Sequence, residues 1–165
     1  MENLKKIFSK KISTLKLLVL DFDGVLTDNK VIVSEDGKES VSCWRGDGIG
    51  IQEIYKLGIK TIVISSEVNH VVSIRCKKLG VDCYQGHDRK ILELERQLFL
   101  NECHSDQVIY VGNDINDLEC MKFVGLSVSV ADGHDSIKKI ADYVTEKKGG
   151  MGAVREVCDL ILSCI

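Results

Sequence analysis

Residues 15–28 read Leu-Lys-Leu-Leu-Val-Leu-Asp-Phe-Asp-Gly-Val-Leu-Thr-Asp, and the first six decide the fold. LKLLVL is a short, nearly unbroken apolar run, the pattern of a strand buried on both faces of a parallel sheet. Three runs of the same kind follow: 59–64 (IKTIVI), 107–111 (QVIYV) and 126–130 (LSVSV). Segments with helical spacing lie between and after them, at about 48–57, 68–79, 88–100, 114–123, 134–141 and 151–163. Strands alternating with helices of this length predict βαβ units, an α/β fold whose parallel sheet is covered by helices on both faces. One stretch departs from the alternation. Residues 31–33, the turn 34–38 and residues 39–43 predict a β-hairpin, with Asp36-Gly37 supplying the positive-φ turn residue.

With 165 residues and no repeat, low-complexity tract or linker, the chain predicts a single domain over 1–165. Within it we distinguish an N-terminal extension (1–14), the hairpin flap (30–43), and a glycine-rich segment with a last helix (146–165). Lys and Arg number 22 against 25 Asp and Glu, a net charge of −3, which argues against a nucleic-acid binder. No apolar run approaches the ~20 residues of a bilayer span, so no membrane role is expected. The seven cysteines are odd in number and include no C-x-x-C pair. They read as reduced thiols of a cytoplasmic protein. The basic start MENLKKIFSKK has no secretory signal pattern. Leu4, Ile7, Phe8 and Ile12 suggest a short helix packed on the domain, with a membrane-surface anchor as the weaker alternative.

Ligands of parallel α/β sheets bind beyond the carboxyl ends of the strands. After the first strand stand Asp21, Asp23, Gly24, Thr27 and Asp28; after IKTIVI, Ser65, Ser66 and Glu67; after QVIYV, Gly112-Asn113-Asp114-Ile115-Asn116-Asp117. Lys90 heads the helix before QVIYV. Carboxylates gathered at one sheet edge repel each other unless a cation intervenes. Oxygen donors without His or Cys select a hard ion, and Mg²⁺ is the usual one beside phosphate. One carboxylate can attack phosphorus while a second, two residues on, moves the proton. A hydroxyl and an ammonium can then hold the non-bridging oxygens. Any one of these Asp residues could instead be a turn or helix cap, and Lys90 alone could be a solvated helix charge.

The ordered set D-x-D-G-V-L-T-D, Ser65, Lys90 and Gly112–Asp117 resembles the four-motif signature of the haloacid dehalogenase (HAD) superfamily. The resemblance implies a HAD-like Rossmannoid three-layer sandwich. It implies Asp21 as the nucleophile of an aspartyl-phosphate, Asp23 as general acid/base, Ser65 and Lys90 as phosphoryl-binding groups, and Mg²⁺ held by Asp21, Asp23, Asn113 and Asp114. Asn113 departs from the pattern, since the residue after this glycine is commonly Asp. An amide oxygen still coordinates, with one negative charge fewer, so weaker Mg²⁺ binding is expected. Gly46-Asp47-Gly48-Ile49-Gly50 matches no nucleotide-binding motif and reads as a loop entering a helix near the site.

Only the hairpin separates the first motif from the following helix, so no cap domain is present. The whole chain from about 15 to 163 is similar to the capless, tetrameric sugar-acid phosphatases. These act on 3-deoxy-D-manno-octulosonate (KDO) 8-phosphate or on nonulosonate 9-phosphates. It is also similar to the phosphatase-like domain of acylneuraminate cytidylyltransferases. Arg45–Gly48, Tyr84–Gly86, Val128–Asp132 and Gly149–Glu156 carry the likeness; in the family the glycine-rich tail reaches a neighbour's active site. KDO 8-phosphate phosphatases tend to have Thr-Gly-Arg where this chain has Ser65-Ser66-Glu67. Glu67 with Arg75 and Lys78 resembles the nine-carbon enzymes, so a nonulosonate 9-phosphate is the favoured substrate and KDO 8-phosphate the alternative. The resemblance places Gly24, Asp47, Gly48, Ser66, Glu67, Arg75, Lys78 and Asp117 around the substrate, with Arg75 and Lys78 serving a neighbouring subunit of a homotetramer. Two other classes remain to be weighed. One is a non-catalytic oligomerisation domain, suggested by Asn113 and the Ser-Ser pair. The other is a response-regulator receiver, disfavoured because its acceptor Asp should follow a middle strand of the sequence.

Overall fold

The computed structural model describes Ser9 and residues 11–165. Leu4, Ile7 and Phe8 of the expected N-terminal helix lie outside the described residues, while Ile12 is buried in the core. In chain order the elements are β1 (Leu17–Leu20), β2 (Ile32–Val33), β3 (Glu39–Ser40), α1 (Arg45–Lys56), β4 (Lys60–Ile64), α2 (His70–Leu79) and β5 (Asp82–Tyr84). Then come α3 (Lys90–Leu100), β6 (Val108–Gly112), α4 (Leu118–Phe123), β7 (Leu126–Ser129), α5 (Asp135–Lys138), β8 (Tyr143–Val144) and α6 (Ala153–Leu162).

Six strands form one sheet in the order β5-β4-β1-β6-β7-β8, all parallel where they pair. The four long apolar runs are its centre. The edge strands β5 and β8 are three and two residues long and carry no apolar run, which is why sequence pattern passes over them. Alternation along β1 sorts the core into two layers. Leu18 and Leu20 pack with Ile54, Val72, Val154 and Val157 of α1, α2 and α6. Leu17 and Val19 pack with Leu94, Leu98, Met121 and Ile137 of α3, α4 and α5. This is the expected three-layer α/β sandwich, and among the described residues no cap interrupts it.

Local chemistry sets the ends of the elements. Asn69 caps α2 by accepting from Val71 N–H at 3.0 Å, and Gly80, at φ 72°, closes it in the left-handed region. The Gly46–Gly50 stretch is helical, not a loop: α1 begins at Arg45. Gly50 serves helix packing, because a Cβ there would stand 2.8 Å from Cys158 Cβ on α6. Glycine costs about 1 kcal/mol inside a helix, and close apposition of α1 and α6 offsets it. The hairpin forms as expected, with β2 and β3 pairing only with each other among the described residues. No helix among the described residues is long and apolar enough to cross a membrane.

Candidate active site

β4, β1 and β6 are neighbours in the sheet, in register at Val63, Leu20 and Val111. Parallel strands lie about 4.8 Å apart, so the residues just beyond these ends stand side by side. They are Ser65, Asp21 and Asn113. Asp21 N–H still bonds Val111 O at 3.0 Å, which carries the strand geometry up to the nucleophile position. The next residues turn sharply, with Leu26 N–H returning to Phe22 O at 2.9 Å. Thr27, fully buried, receives Gly24 N–H at 3.1 Å and donates to Asp23 Oδ1 at 3.4 Å. Gly24 takes φ 79°, and a Cβ there would meet the Asn113 side chain at 2.0 Å, so glycine is required twice over.

The resulting cleft holds about 480 Å³ and is lined by Asp21, Asp23, Ser65, Ser66, Asn113 and Asp114. Glu67 and Asn116 also line it; Asn116 Nδ2 donates to Ser66 Oγ at 3.0 Å across the opening. Lys90 is 1% exposed. Its ammonium stands 2.7 Å from Asp21 Oδ1 and 2.8 Å from Asp117 Oδ1, which removes the reading as a solvated helix charge. A cation at a helix N-terminus opposes the dipole; two carboxylates outweigh that cost.

Burial pushes the Asp21 carboxyl well up, the negative Asp117 adds to the rise, and Lys90 only partly opposes it. Asp23 is also raised, first by burial and then by Glu67. Burial pulls Lys90 down, yet Asp21 and Asp117 outweigh it and hold the ammonium charged. The cleft thus carries more negative charge than Lys90 balances. Its donors are oxygens alone, and a hard cation suits them. Among the described residues no three His, Cys, Asp or Glu side chains form a ready metal cage. Mg²⁺ needs none, since one or two carboxylates with water and phosphate oxygens complete its octahedron.

Several expected substrate contacts take other places. Asp117 is fully buried and accepts Asn113 and Asp114 N–H at 2.9 and 3.3 Å through Oδ2, so it organises the loop beneath the cleft and does not face substrate. Asp47 is also fully buried, accepting Arg155 N–H at 2.9 Å where α6 begins; it joins α1 to α6. Gly48 packs against Leu79, away from the cleft. Gly24 supports Asn113 without lining the opening. Arg75 donates to Trp44 O at 3.3 Å, and neither it nor the exposed Lys78 lines this chain's cleft. Glu67 is at the cleft, but its Oε1 accepts Val68 and Asn69 N–H at 2.7 and 2.9 Å and is tied into its own turn.

The Gly149-Gly150 segment folds onto its own chain, with Gly150 N–H on Val25 O at 3.1 Å. The lining residues Asn29 and Val68 have no counterpart among the expected site residues, and Ile115 enters the sequence reading only as part of the 112–117 cluster. Asn29 takes a left-handed φ of 62°, and its one signal in the sequence is its type, since Asn tolerates that region better than most residues. Tyr110, whose hydroxyl reaches Asp117 at 2.8 Å, hid inside an apolar strand.

The chain belongs to the haloacid dehalogenase-like hydrolases, whose family model matches residues 64–157. Within that family it stands with the capless group whose members include KDO 8-phosphate phosphatases. It is 40% identical over 153 residues to the 3-deoxy-D-manno-octulosonate 8-phosphate phosphatase KdsC of Salmonella typhi, covering 92% of this chain and 81% of that protein. The crystal structure of the corresponding Yersinia pestis phosphatase superposes with TM-score 0.93 at 36% identity, covering 96% of this chain and 86% of that one. The Moraxella catarrhalis phosphatase, solved with magnesium, phosphate and KDO, gives TM-score 0.92 at 34% identity, covering 95% and 91%.

Proposed function

We propose that this protein is a Mg²⁺-dependent phosphatase of a 3-deoxy-2-keto sugar acid, with KDO 8-phosphate as its substrate. The observation that carries the reading is Asp21 at the cleft floor, its Oδ1 held by Lys90 at 2.7 Å and by Phe22 N–H at 2.7 Å. One oxygen is fixed by these donors, and the other is the one to attack phosphorus in line. Asp23, half-buried with its carboxyl raised first by burial and then by Glu67, is the group to give a proton to the leaving sugar oxygen and then take one from water. Ser65 and Lys90 hold the non-bridging oxygens. Asp21, Asp23, Asn113 and Asp114 would hold Mg²⁺, which when bound neutralises phosphate charge and orients the group for attack.

The resemblance favours a nine-carbon substrate because of Glu67 together with Arg75 and Lys78. That argument weakens, since Glu67 Oε1 is taken by the Val68 and Asn69 N–H groups and ties the side chain to its own turn. The similar proteins whose substrate is stated in their names act on the eight-carbon sugar, so the alternative becomes the main reading. The non-catalytic reading loses ground for a geometric reason: Asn113 keeps its place at the cleft beside Asp21 and Asp23.

The protein is further read as a self-associating, tetrameric enzyme. Val31, Ile32 and Val33 are 53%, 68% and 62% exposed on a two-stranded hairpin. Such a ribbon is marginal alone, and its open edges suit pairing with other copies. Among the described residues no cationic side chain lines this cleft to receive a sugar-acid carboxylate. Arg75 and Lys78 of a neighbouring copy are the groups we assign to it.

Phosphate release should be measured with Mg²⁺ from KDO 8-phosphate, N-acetylneuraminate 9-phosphate and its deaminated analogue. The eight-carbon substrate should give the highest kcat/KM, and Asp21→Asn should lower kcat by roughly 10⁴-fold or more with the fold kept. Turnover of a nine-carbon ester above KDO 8-phosphate would reverse the substrate assignment. Equal activity of Asp21→Asn would end the mechanism.

A further inference from the structure

Tyr110 heads the large side chains with no exposed surface. It stands on β6 opposite Val19 of β1, on the face covered by α3 and α4. A buried phenol needs a partner for its O–H, and Tyr110 donates to Asp117 Oδ1 at 2.8 Å. The same oxygen receives Lys90 Nζ at 2.8 Å, while Asp117 Oδ2 receives the backbone N–H groups of Asn113 and Asp114. Four donors therefore converge on one fully buried carboxylate. Three are fixed by the sheet, a packed ring and a loop anchored to Asp117. Only Lys90 sits on a flexible stem, and its other partner is Asp21.

We propose that the Tyr110 hydroxyl is a positioning group for the phosphoryl transfer, acting through Asp117 on Lys90; this rests on the phosphatase reading above. The hydroxyl fixes the rotamer of Asp117 and takes part of the charge on Oδ1. Lys90 is then shared between the two carboxylates and is not captured by Asp117. Its ammonium stays at Asp21, where the phosphoryl oxygens arrive. Without the hydroxyl, Oδ1 has Lys90 as its sole strong donor, and the shorter pair draws the ammonium away from the nucleophile. The substrate would bind as before, and its transition state would lose an aligned charge.

Tyr110→Phe deletes the hydroxyl and leaves the ring in its packing. With the full-length protein, Mg²⁺ and KDO 8-phosphate, kcat should fall roughly tenfold with KM within about twofold. In an Asp117→Asn background the same substitution should change kcat by less than about twofold, because its route is already cut. A readout independent of turnover is the Lys90 ammonium resonance in ¹⁵N-lysine-labelled protein, identified by its loss in Lys90→Met. It should shift in Tyr110→Phe without substrate.

An active wild type with unchanged kcat and an unmoved Lys90 resonance in Tyr110→Phe would overturn the inference, leaving the hydroxyl only a melting-temperature effect. Equal losses in both backgrounds would overturn it as well. A wild type inactive on every sugar phosphate overturns the phosphatase reading itself, and with it this inference. If Tyr110→Phe does not fold, Asp117→Asn decides: wild-type kcat there rules the relay out, and a loss of tenfold or more with KM kept supports it.

Discussion

Asp47 is a buried carboxylate that faces no cleft, and its chemistry shows at the scale of one residue. Oδ1 accepts the Arg155 N–H, while Oδ2 is buried with no hydrogen-bond partner. Burial pushes its pKa up to about 6, against the opposing Arg155 N–H and the Arg75 charge. The folded state thus holds this proton more tightly than the unfolded chain, whose carboxyl titrates near 3.8. Stability from this group is complete below about pH 4 and is lost as pH climbs through 6, by about 3 kcal/mol at most. Asp47→Asn keeps the acceptor for Arg155 and abolishes the charge. Relative to the wild type it should gain roughly 1–3 kcal/mol between pH 4.5 and 7.5, read by urea unfolding at each pH. A pH-independent difference would show that the carboxyl is relieved by water. In the sequence Asp47 sat between glycines and invited a substrate role; only the α1–α6 contact reveals the helix-joining one.

At the scale of elements, the glycine-rich segment before α6 clasps the loop that carries the nucleophile. Gly149 N–H donates to Asp132 Oδ1 at 3.0 Å, and a Cβ on Gly149 would stand 1.8 Å from Gly24 O. Backbone cannot yield as a flexible side chain can, so Gly149→Ala must move the Gly24–Asp28 loop or the clasp. We expect a loss of about 1–3 kcal/mol from overpacking and a fall in kcat of at least roughly tenfold. Thermal melting and phosphate release check the two parts. A variant with intact kcat would mean that the clasp gives way and the loop does not. The motif was legible as glycines near the end of the chain. Its contact with residues more than a hundred positions earlier was not, because a glycine needed for close approach looks like one needed for a turn.

At the scale of the whole molecule, a protomer with an open cleft and a bare apolar hairpin leaves two needs, for a lid and for a partner. The self-association proposed above, through the hairpin, would meet the second. Ile32→Asp places a charge among the exposed Val31, Ile32 and Val33 without touching the core. Light scattering should show the wild type as an oligomer and the variant as a smaller species, with melting of the domain little changed. If Arg75 and Lys78 act across that contact, KM for the sugar acid should also rise on dissociation. A monomeric wild type would remove both expectations.

The sequence by itself determined the α/β class, the four long strands, the hairpin, and the clusters that follow β1, β4 and β6. Those features are local: apolar periodicity and the order of motifs along the chain need no partner to be seen. Tertiary structure alone decided which polar groups face solvent and which are spent inside. Lys90 and Asp117 are 27 positions apart, and they meet because α3 packs on the sheet face where Tyr110 points. Asp21 and Asp117 are both acidic residues beyond strand ends, yet one opens to the cleft and the other is sealed by four donors. Burial depends on what crosses over the strand ends, and that crossing is written in the packing of helices that no single motif records.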